Sequence, residues 1–218
     1  MPEPLIIVLA GVNGSGKSSI GGAAIRAHGA DYYNPDVAAR ALRGIHPNMT
    51  QAIANSHAWT MGKDMLEKAI DNKETYAFET TLGGNTLTSL LIKATQRGLK
   101  VKLWYAGLQS VELNLARVKA RVIRGGHDIP EADIRKRWDS SRRNLIKLLP
   151  HLHSLRLYDN STEADPTHGK APEPKILLQL EAGKVVGPED LTGAPEWAKP
   201  IIAGALASKG IFLPPNDL

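Results

Sequence analysis

A chain of 218 residues with 42% hydrophobic and 22% charged side chains is long and apolar enough to bury one sizeable core, which argues against disorder. It has no cysteine, so disulfides and thiolate metal sites are excluded; no signal-peptide pattern and no apolar run of bilayer length occurs, and a soluble cytoplasmic protein without a membrane partner is expected. The net charge of +5 is uneven: from Arg117 to Lys147, ten Lys or Arg stand against four acids, a cluster that suits either nucleic acid or the phosphates of a bound nucleotide.

The first element is the apolar run Leu5–Ala10, read as a buried strand. It runs into Gly11–Ser18, G-V-N-G-S-G-K-S, which satisfies the G-x-x-x-x-G-K-[ST] phosphate-loop pattern, and a helix is predicted over Ser18–His28. Strand, loop and helix in that order disfavour an ordinary glycine-rich turn. In such a loop backbone N–H groups converge on phosphate oxygens at a helix N-terminus. Gly11, Asn13, Gly14, Ser15, Gly16, Lys17, Ser18 and Ser19 are therefore the expected ATP-binding residues, with Lys17 on the β/γ-phosphates and Ser18 as the Mg²⁺ ligand.

A weaker strand at Ala30–Tyr33 precedes a helix over Pro35–Leu42. Asp36 thus lies just past a strand end, where open α/β sheets place ligands. A carboxylate there can accept the proton of an attacking hydroxyl or help hold Mg²⁺; equally, Asp36 or Asn34 can simply cap the helix. The helix predicted at Gln51–Asn72 carries Trp59, Met61 and Met65, read as core and cleft packing.

The next strand, Tyr76–Glu79, ends in Glu79-Thr80-Thr81 before Gly83-Gly84. Three hydrogen-bonding side chains at a strand terminus can grip a hydroxylated substrate, although threonine also suits strands for its own sake. An acid directly after Tyr76-Ala77-Phe78 is partly buried and needs a partner. A helix over Asn85–Arg97 and a strand over Leu99–Ala106 follow.

The helix at Ser110–Arg124 bears an apolar stripe of Val111, Leu115, Val118 and Val122, flanked by Arg117, Arg121 and Arg124. After it come Gly125-Gly126-His127-Asp128-Ile129-Pro130 and a basic helix, Glu131–Leu149, with Arg135 and Arg137; Ile134, Trp138 and Leu145 read as its buried stripe. Helix, glycine hinge and basic helix form the layout of a lid, placed at about residues 121–140, that closes arginines over a transferring phosphoryl group. His127 has no second His or Cys at ligand spacing, so it reads as a substrate contact rather than a metal ligand. A strand at Leu155–Tyr158, an exposed loop at Asn160–Pro174, a hairpin at Lys175–Leu180 and Lys184–Val186, and a helix at Pro195–Ser208 complete the chain.

Alternating strands and helices predict an α/β fold, a parallel sheet with helices on both faces. Neither the N-K-x-D motif of GTPases nor a strand ending in Asp-Glu occurs. The strand-end acids are Asp36 and Glu79, an arrangement that suits a kinase.

Gly11–Ser18, Asn34-Pro35-Asp36, Phe78-Glu79-Thr80-Thr81-Leu82 and Arg124-Gly125-Gly126-His127-Asp128-Ile129-Pro130, taken in order, resemble the zeta-toxin-like family of P-loop kinases over roughly residues 5 to 160. The resemblance implies a single P-loop kinase-like domain over 1–218, strands in the order 2-3-1-4-5, and a C-terminal hairpin and helix as an appendage at about 172–218. Family toxins phosphorylate a sugar hydroxyl of UDP-N-acetylglucosamine and are held inactive by a small antitoxin. By that likeness Asp36 is the catalytic base, Glu79 and Thr81 contact the nucleotide sugar beside His127, and Lys17 with lid arginines, among Arg121, Arg124 and Arg137, stabilises the transferred phosphate. Chloramphenicol phosphotransferases are similar too, so the acceptor can change on one scaffold. Two other readings stay open: a nucleic-acid-associated kinase or ATPase, disfavoured because only Trp138 interleaves the basic segment, and a non-catalytic ATP-binding regulator.

Overall fold

The computed structural model describes residues 3–21, 32–162, 173–208 and 210. Six strands form one sheet in the order β2-β1-β3-β4-β5-β6, comprising β1 (Leu5–Ala10), β2 (Tyr76–Thr80), β3 (Lys100–Gly107), β4 (Ser154–Asp159), β5 (Lys175–Glu181) and β6 (Lys184–Gly187). β2, β1, β3 and β4 are parallel neighbours, whereas β5 and β6 run antiparallel at the β4 edge. β1 is central because its residues are apolar on both faces, the requirement of a parallel strand covered by helices on either side.

Tyr33 makes a single parallel bridge to Phe78 on the far side of β2. The expected second strand is thus, among the described residues, one bridging residue, and positions 30 and 31 lie outside them. Counting Tyr33, the parallel order is the expected 2-3-1-4-5. The hairpin extends this sheet, since β5 pairs with β4 from Ser154 to Asp159.

The helices are α1 (described over 17–21), α2 (Pro35–Ile45), α3 (Gln51–Asn72), α4 (Asn85–Gln96), α5 (Val111–Ile123), α6 (Glu131–Leu148) and α7 (Lys199–Ala207). The rest of the helix expected at Ser18–His28, and most of the loop expected at Asn160–Pro174, lie outside the described residues. Side-chain caps fix three starts: Asn34 on α2, Thr50 on α3 and Ser110 on α5. No helix of the described residues is long and apolar enough to cross a membrane.

One large core joins Ile6 and Val8 of β1, Leu103 of β3, Leu145 and Leu148 of α6, and Ile201 and Ile202 of α7. The C-terminal hairpin and α7 therefore complete the same sheet and core. A smaller cluster of Val12, Leu115, Val118, Ile129 and Ile134 sits over the phosphate loop. α6 is divided between the two. Its second half is anchored by Leu145, by Ser141 bonded to Tyr105 at 2.9 Å, and by the Asn144 amide donating to Leu82 O at 2.9 Å and Gly84 O at 3.2 Å. Its first half, from Glu131, is the part that borders the cleft.

Candidate active site

Gly11, Gly14 and Gly16 all have positive φ, so the loop between β1 and α1 curls as only glycine does without strain. A Cβ on Gly16 would lie 2.3 Å from Asn160 Nδ2, and that amide donates to Ser15 O at 2.9 Å. On the other flank the buried Asn114 of α5 donates Nδ2–H to Asn13 O at 2.7 Å. Arg137 of α6 completes the grip, giving Nη1–H to Asn13 Oδ1 at 2.9 Å. Three side chains from three elements hold the loop in a shape suited to phosphate.

Asn114 and Asn160 were not singled out from sequence. For Asn114 a signal existed: it shares a helical face with Val111 and Val118, and a polar residue on a buried face needs a dedicated partner. Asn160 carried none, because it follows β4 in a stretch that reads as ordinary loop.

Glu79 is buried, as its place after an apolar run implies, and it has three partners. Ser18 Oγ donates to Oε2 at 2.8 Å, Asn34 Nδ2 donates to Oε2 at 3.1 Å, and Lys17 Nζ stands 3.7 Å from Oε1. The Lys17 side chain is itself only 8% exposed. Burial pushes its ammonium below the usual lysine range, while the Glu79 and Asp36 carboxylates pull it back up. The register that pairs Leu9 with Glu79 explains this meeting, because it sets the end of β2 beside the start of the loop. Glu79 was expected on the substrate; it lines the cleft, but two of its partners, Lys17 and Ser18, belong to the phosphate-loop side and the third, Asn34, to the start of α2. Ser19 is exposed and its hydroxyl has no hydrogen bond among the described residues.

The capping alternative for Asp36 resolves in favour of its neighbour. Asn34 Oδ1 accepts from the N–H groups of Asp36 at 2.9 Å and Val37 at 3.2 Å. The Asp36 carboxylate is thereby left free on the first turn of α2. It faces His127 Nε2 at 3.8 Å and Arg121 Nη1 at 3.9 Å, ion-pair distances that leave room for a ligand group. Arg121 also donates to His127 O at 3.2 Å, which folds the 124–130 turn against α5.

The expected lid arginines divide. Arg121 and Arg137 point at the site. Arg124 ends α5 exposed, with no side-chain bond or ion pair among the described residues. Arg135 turns away to Glu131 and Glu112, at 2.8 and 3.1 Å. Ile134 and Leu145 are buried as expected, while Trp138 is half-buried with Arg142 stacked 4.5 Å over its ring.

A cleft of about 420 Å³ opens beside the loop, lined near it by Asn13, Asp36, Glu79, Thr81, His127 and Arg137. The hydroxyl of Thr80 accepts from Leu82 N–H at 3.0 Å, whereas Thr81 keeps its hydroxyl for the cleft. Trp59 lines the far wall. Of the three α3 residues read as core and cleft packing, none is core: Trp59, Met61 and Met65 are all exposed. This 22-residue helix buries only Ala54, Ala58, Leu66, Ala69 and Ile70 and leaves more than half its residues exposed, so helical position alone did not place them.

The parallel sheet, the glycine loop held by β1 and α1, and the strand-end acids define a P-loop kinase fold. Solved structures share it. A chain of the AvrRxo1-ORF1:AvrRxo1-ORF2 complex crystallised with ATP matches with a TM-score of 0.65 at 17% identity, covering 93% of this chain and 64% of that one. The PezAT toxin-antitoxin system of Streptococcus pneumoniae gives 0.52 at 16% identity, covering 73% of this chain and 69% of its counterpart. The protein thus spans somewhat under two thirds of the AvrRxo1 chain it matches. In sequence, residues 1–163 match the family model for zeta toxin, and the chain belongs to that family. An uncharacterized protein of Haemophilus influenzae is 31% identical over 137 residues, 61% of this chain and 91% of that protein.

Proposed function

We propose that the protein transfers the γ-phosphoryl group of ATP to a hydroxyl of a small molecule, with a nucleotide sugar such as UDP-N-acetylglucosamine as the acceptor class. The observation that carries this reading is the shared boundary of loop and cleft. Asn13, Glu79 and Arg137 belong to both, and the free Asp36 carboxylate stands on the cleft side. A purely regulatory nucleotide module has no need of an uncapped carboxylate facing a cavity of this size.

In this reading the loop N–H groups and Lys17 hold the donor phosphates, and Asp36 takes the proton of the acceptor hydroxyl as it attacks. Thr81 and His127 position that hydroxyl. Arg137 and Arg121 neutralise charge spread over the transferred group. Mg²⁺ suits the donor set: Ser18 Oγ and the Glu79 carboxylate are hard oxygen ligands already 2.8 Å apart, and Mg²⁺ in such sites uses one or two protein oxygens besides the phosphates. When bound it neutralises the β- and γ-phosphate oxygens. The match to a complex crystallised with ATP supports ATP as donor; the match to a toxin-antitoxin system supports an antitoxin as partner.

Incubation with ATP, Mg²⁺ and a panel of nucleotide sugars should give one acceptor a mass gain of a single phosphate. Lys17→Ala should abolish transfer. Asp36→Ala should lower kcat by about 10²- to 10⁴-fold while ATP binding, measured by calorimetry, persists. Full turnover in Asp36→Ala removes it as the base, and ATP binding without any phosphorylated product favours the regulatory reading.

A further inference from the structure

Beyond residue 163, where the match to the family model ends, the described chain consists of the hairpin, a turn and α7. In the turn the Ala198 N–H donates to Pro195 O at 2.8 Å, and Ala198, Ile201 and Ile202 are fully buried. Trp197 sits inside this anchored turn, only 4% exposed. Its indole N–H is buried without a hydrogen-bond partner among the described residues. An unpaired buried donor costs stability, so the ring is held there for its face and its volume.

The indole abuts the end of β3. A Cβ on Gly107 would lie 2.2 Å from it, and the three nearest atoms would be Cη2, Cζ3 and Cζ2 of the ring. Gly107 does not have a positive φ, so the close approach of the ring, and not backbone shape, requires glycine at this position.

Two lines of contact run from Trp197 to the phosphate loop. In the first, Gly107 O accepts the Asn160 N–H at 3.0 Å, and the Asn160 amide donates to Ser15 O and fills the space beside Gly16. One residue back, Ala106 O would lie 2.2 Å from a Cβ on Gly11, so the same strand end also abuts the first glycine of the loop. In the second, the indole stacks on Tyr105 with ring centroids 6.4 Å apart. Tyr105 is bonded to Ser141 of α6, one helical turn after Arg137, which grips Asn13. Contacts this tight leave no void to absorb a displacement, so a shift of the ring is felt at the loop.

We propose that Trp197 is a positioning residue for the donor site. It sets the end of β3 through Gly107 and Tyr105, and thereby holds the phosphate loop in its ATP-binding shape through Asn160 and α6. The C-terminal segment is then part of the donor machinery, although none of its residues lines the cleft. This rests on the reading above that the loop holds ATP, and it concerns the donor alone.

The test is calorimetry with ATP and Mg²⁺ in the absence of acceptor, with urea unfolding of each variant alongside. Trp197→Ala should raise the Kd for ATP about tenfold, while acceptor KM at saturating ATP stays unchanged. Trp197→Phe keeps an aromatic face and removes the unpaired donor, so most of the affinity should return. In an Asn160→Ala background, Trp197→Ala should weaken ATP binding by less than it does alone, because one of its two routes is already cut. Gly107→Ala keeps the test open should Trp197→Ala not fold. It drives a methyl into the ring and should weaken ATP binding; adding Trp197→Leu, which lacks the three crowded atoms, should restore it. A lowered urea midpoint with unchanged ATP affinity in Trp197→Ala and Gly107→Ala, the result if Trp197 is only core, overturns the inference. So do fully multiplicative effects of Trp197→Ala and Asn160→Ala. A wild-type chain without ATP affinity overturns the donor reading and this inference with it, whereas intact wild-type binding that the variants leave untouched overturns this inference alone.

Discussion

The two walls of the cleft are held by different amounts of material. On the phosphate-loop side, β1 and β3 lie in the middle of the sheet, and α5, α6 and the end of β4 each send a side chain to the loop backbone or to Asn13. On the far side, α3 joins the large core only through Leu66, Ala69 and Ile70 in its second half, and its first half packs on α2 through a cluster whose buried members are three alanines, Ala39, Ala54 and Ala58. Val37, Ile45, Ile53, Trp59, Met61 and Met65 on these two helices remain exposed. Small apolar contacts resist opening less than large ones, since stabilisation follows buried area. In the proposed reading the donor, a nucleoside triphosphate, meets the fixed wall, and the acceptor, which changes within such folds, meets the thin one.

Substitutions of equal rank on the two walls should therefore differ in cost. Leu145→Ala, in the core beneath the anchored half of α6, should destabilise by about 2–5 kcal/mol in urea unfolding. It should also loosen Asn144 from the β2–α4 connection. A loss below about 1 kcal/mol would show that this side is no better packed than the other. Next in size is Asn160→Ala, which leaves Ser15 O without its donor beside a glycine that fits no other side chain. About 1–3 kcal/mol is expected, read as a rise in KM for ATP at unchanged acceptor KM. Ala58→Gly on α3 should cost only about 1 kcal/mol, most of it helix propensity. A much larger loss there would mean that the alanine cluster carries more of the fold than its area suggests.

How legible each wall was follows the same division. The phosphate loop announces itself, because its backbone shape requires glycines at fixed positions and its chemistry requires Lys17 and Ser18. Glu79 was marked by burial, an acid after an apolar strand, yet its partners came from a register that pairs it with Leu9, a relation 70 residues apart in the chain. Asp36 and Asn34 were interchangeable as caps on sequence alone; the geometry gives the cap to Asn34 and frees Asp36. Of the basic segment, charge and spacing could not say that Arg137 turns to Asn13 while Arg135 turns to Glu131 and Glu112, because residues two apart on a helix face different ways. The far wall was least legible. A tryptophan on an amphipathic-looking helix reads as core until the thickness of the layer behind it is known.

Stability against pH gives a test of another kind, because its sign separates the buried groups. Lys17 is held below the usual lysine value by burial, so between that lowered value and about 10.4 the unfolded chain binds a proton that the folded chain does not. The unfolded state then binds more protons, and stability should rise with pH through that window. Burial pushes the Tyr105 phenol up to about 12. From about pH 10, where an unfolded tyrosine ionises, to about 12 the folded state keeps the proton, so stability should fall. Urea midpoints across this range should climb and then drop. Lys17→Met should flatten the climb, which belongs to the phosphate-loop wall. Tyr105→Phe should reduce the drop without removing it, because burial raises Tyr33 and Tyr76 in the same direction from the acceptor side. If Tyr105→Phe abolishes the whole drop, the acceptor wall opens before its tyrosines titrate, and the contrast between the walls is sharper than their packing alone requires.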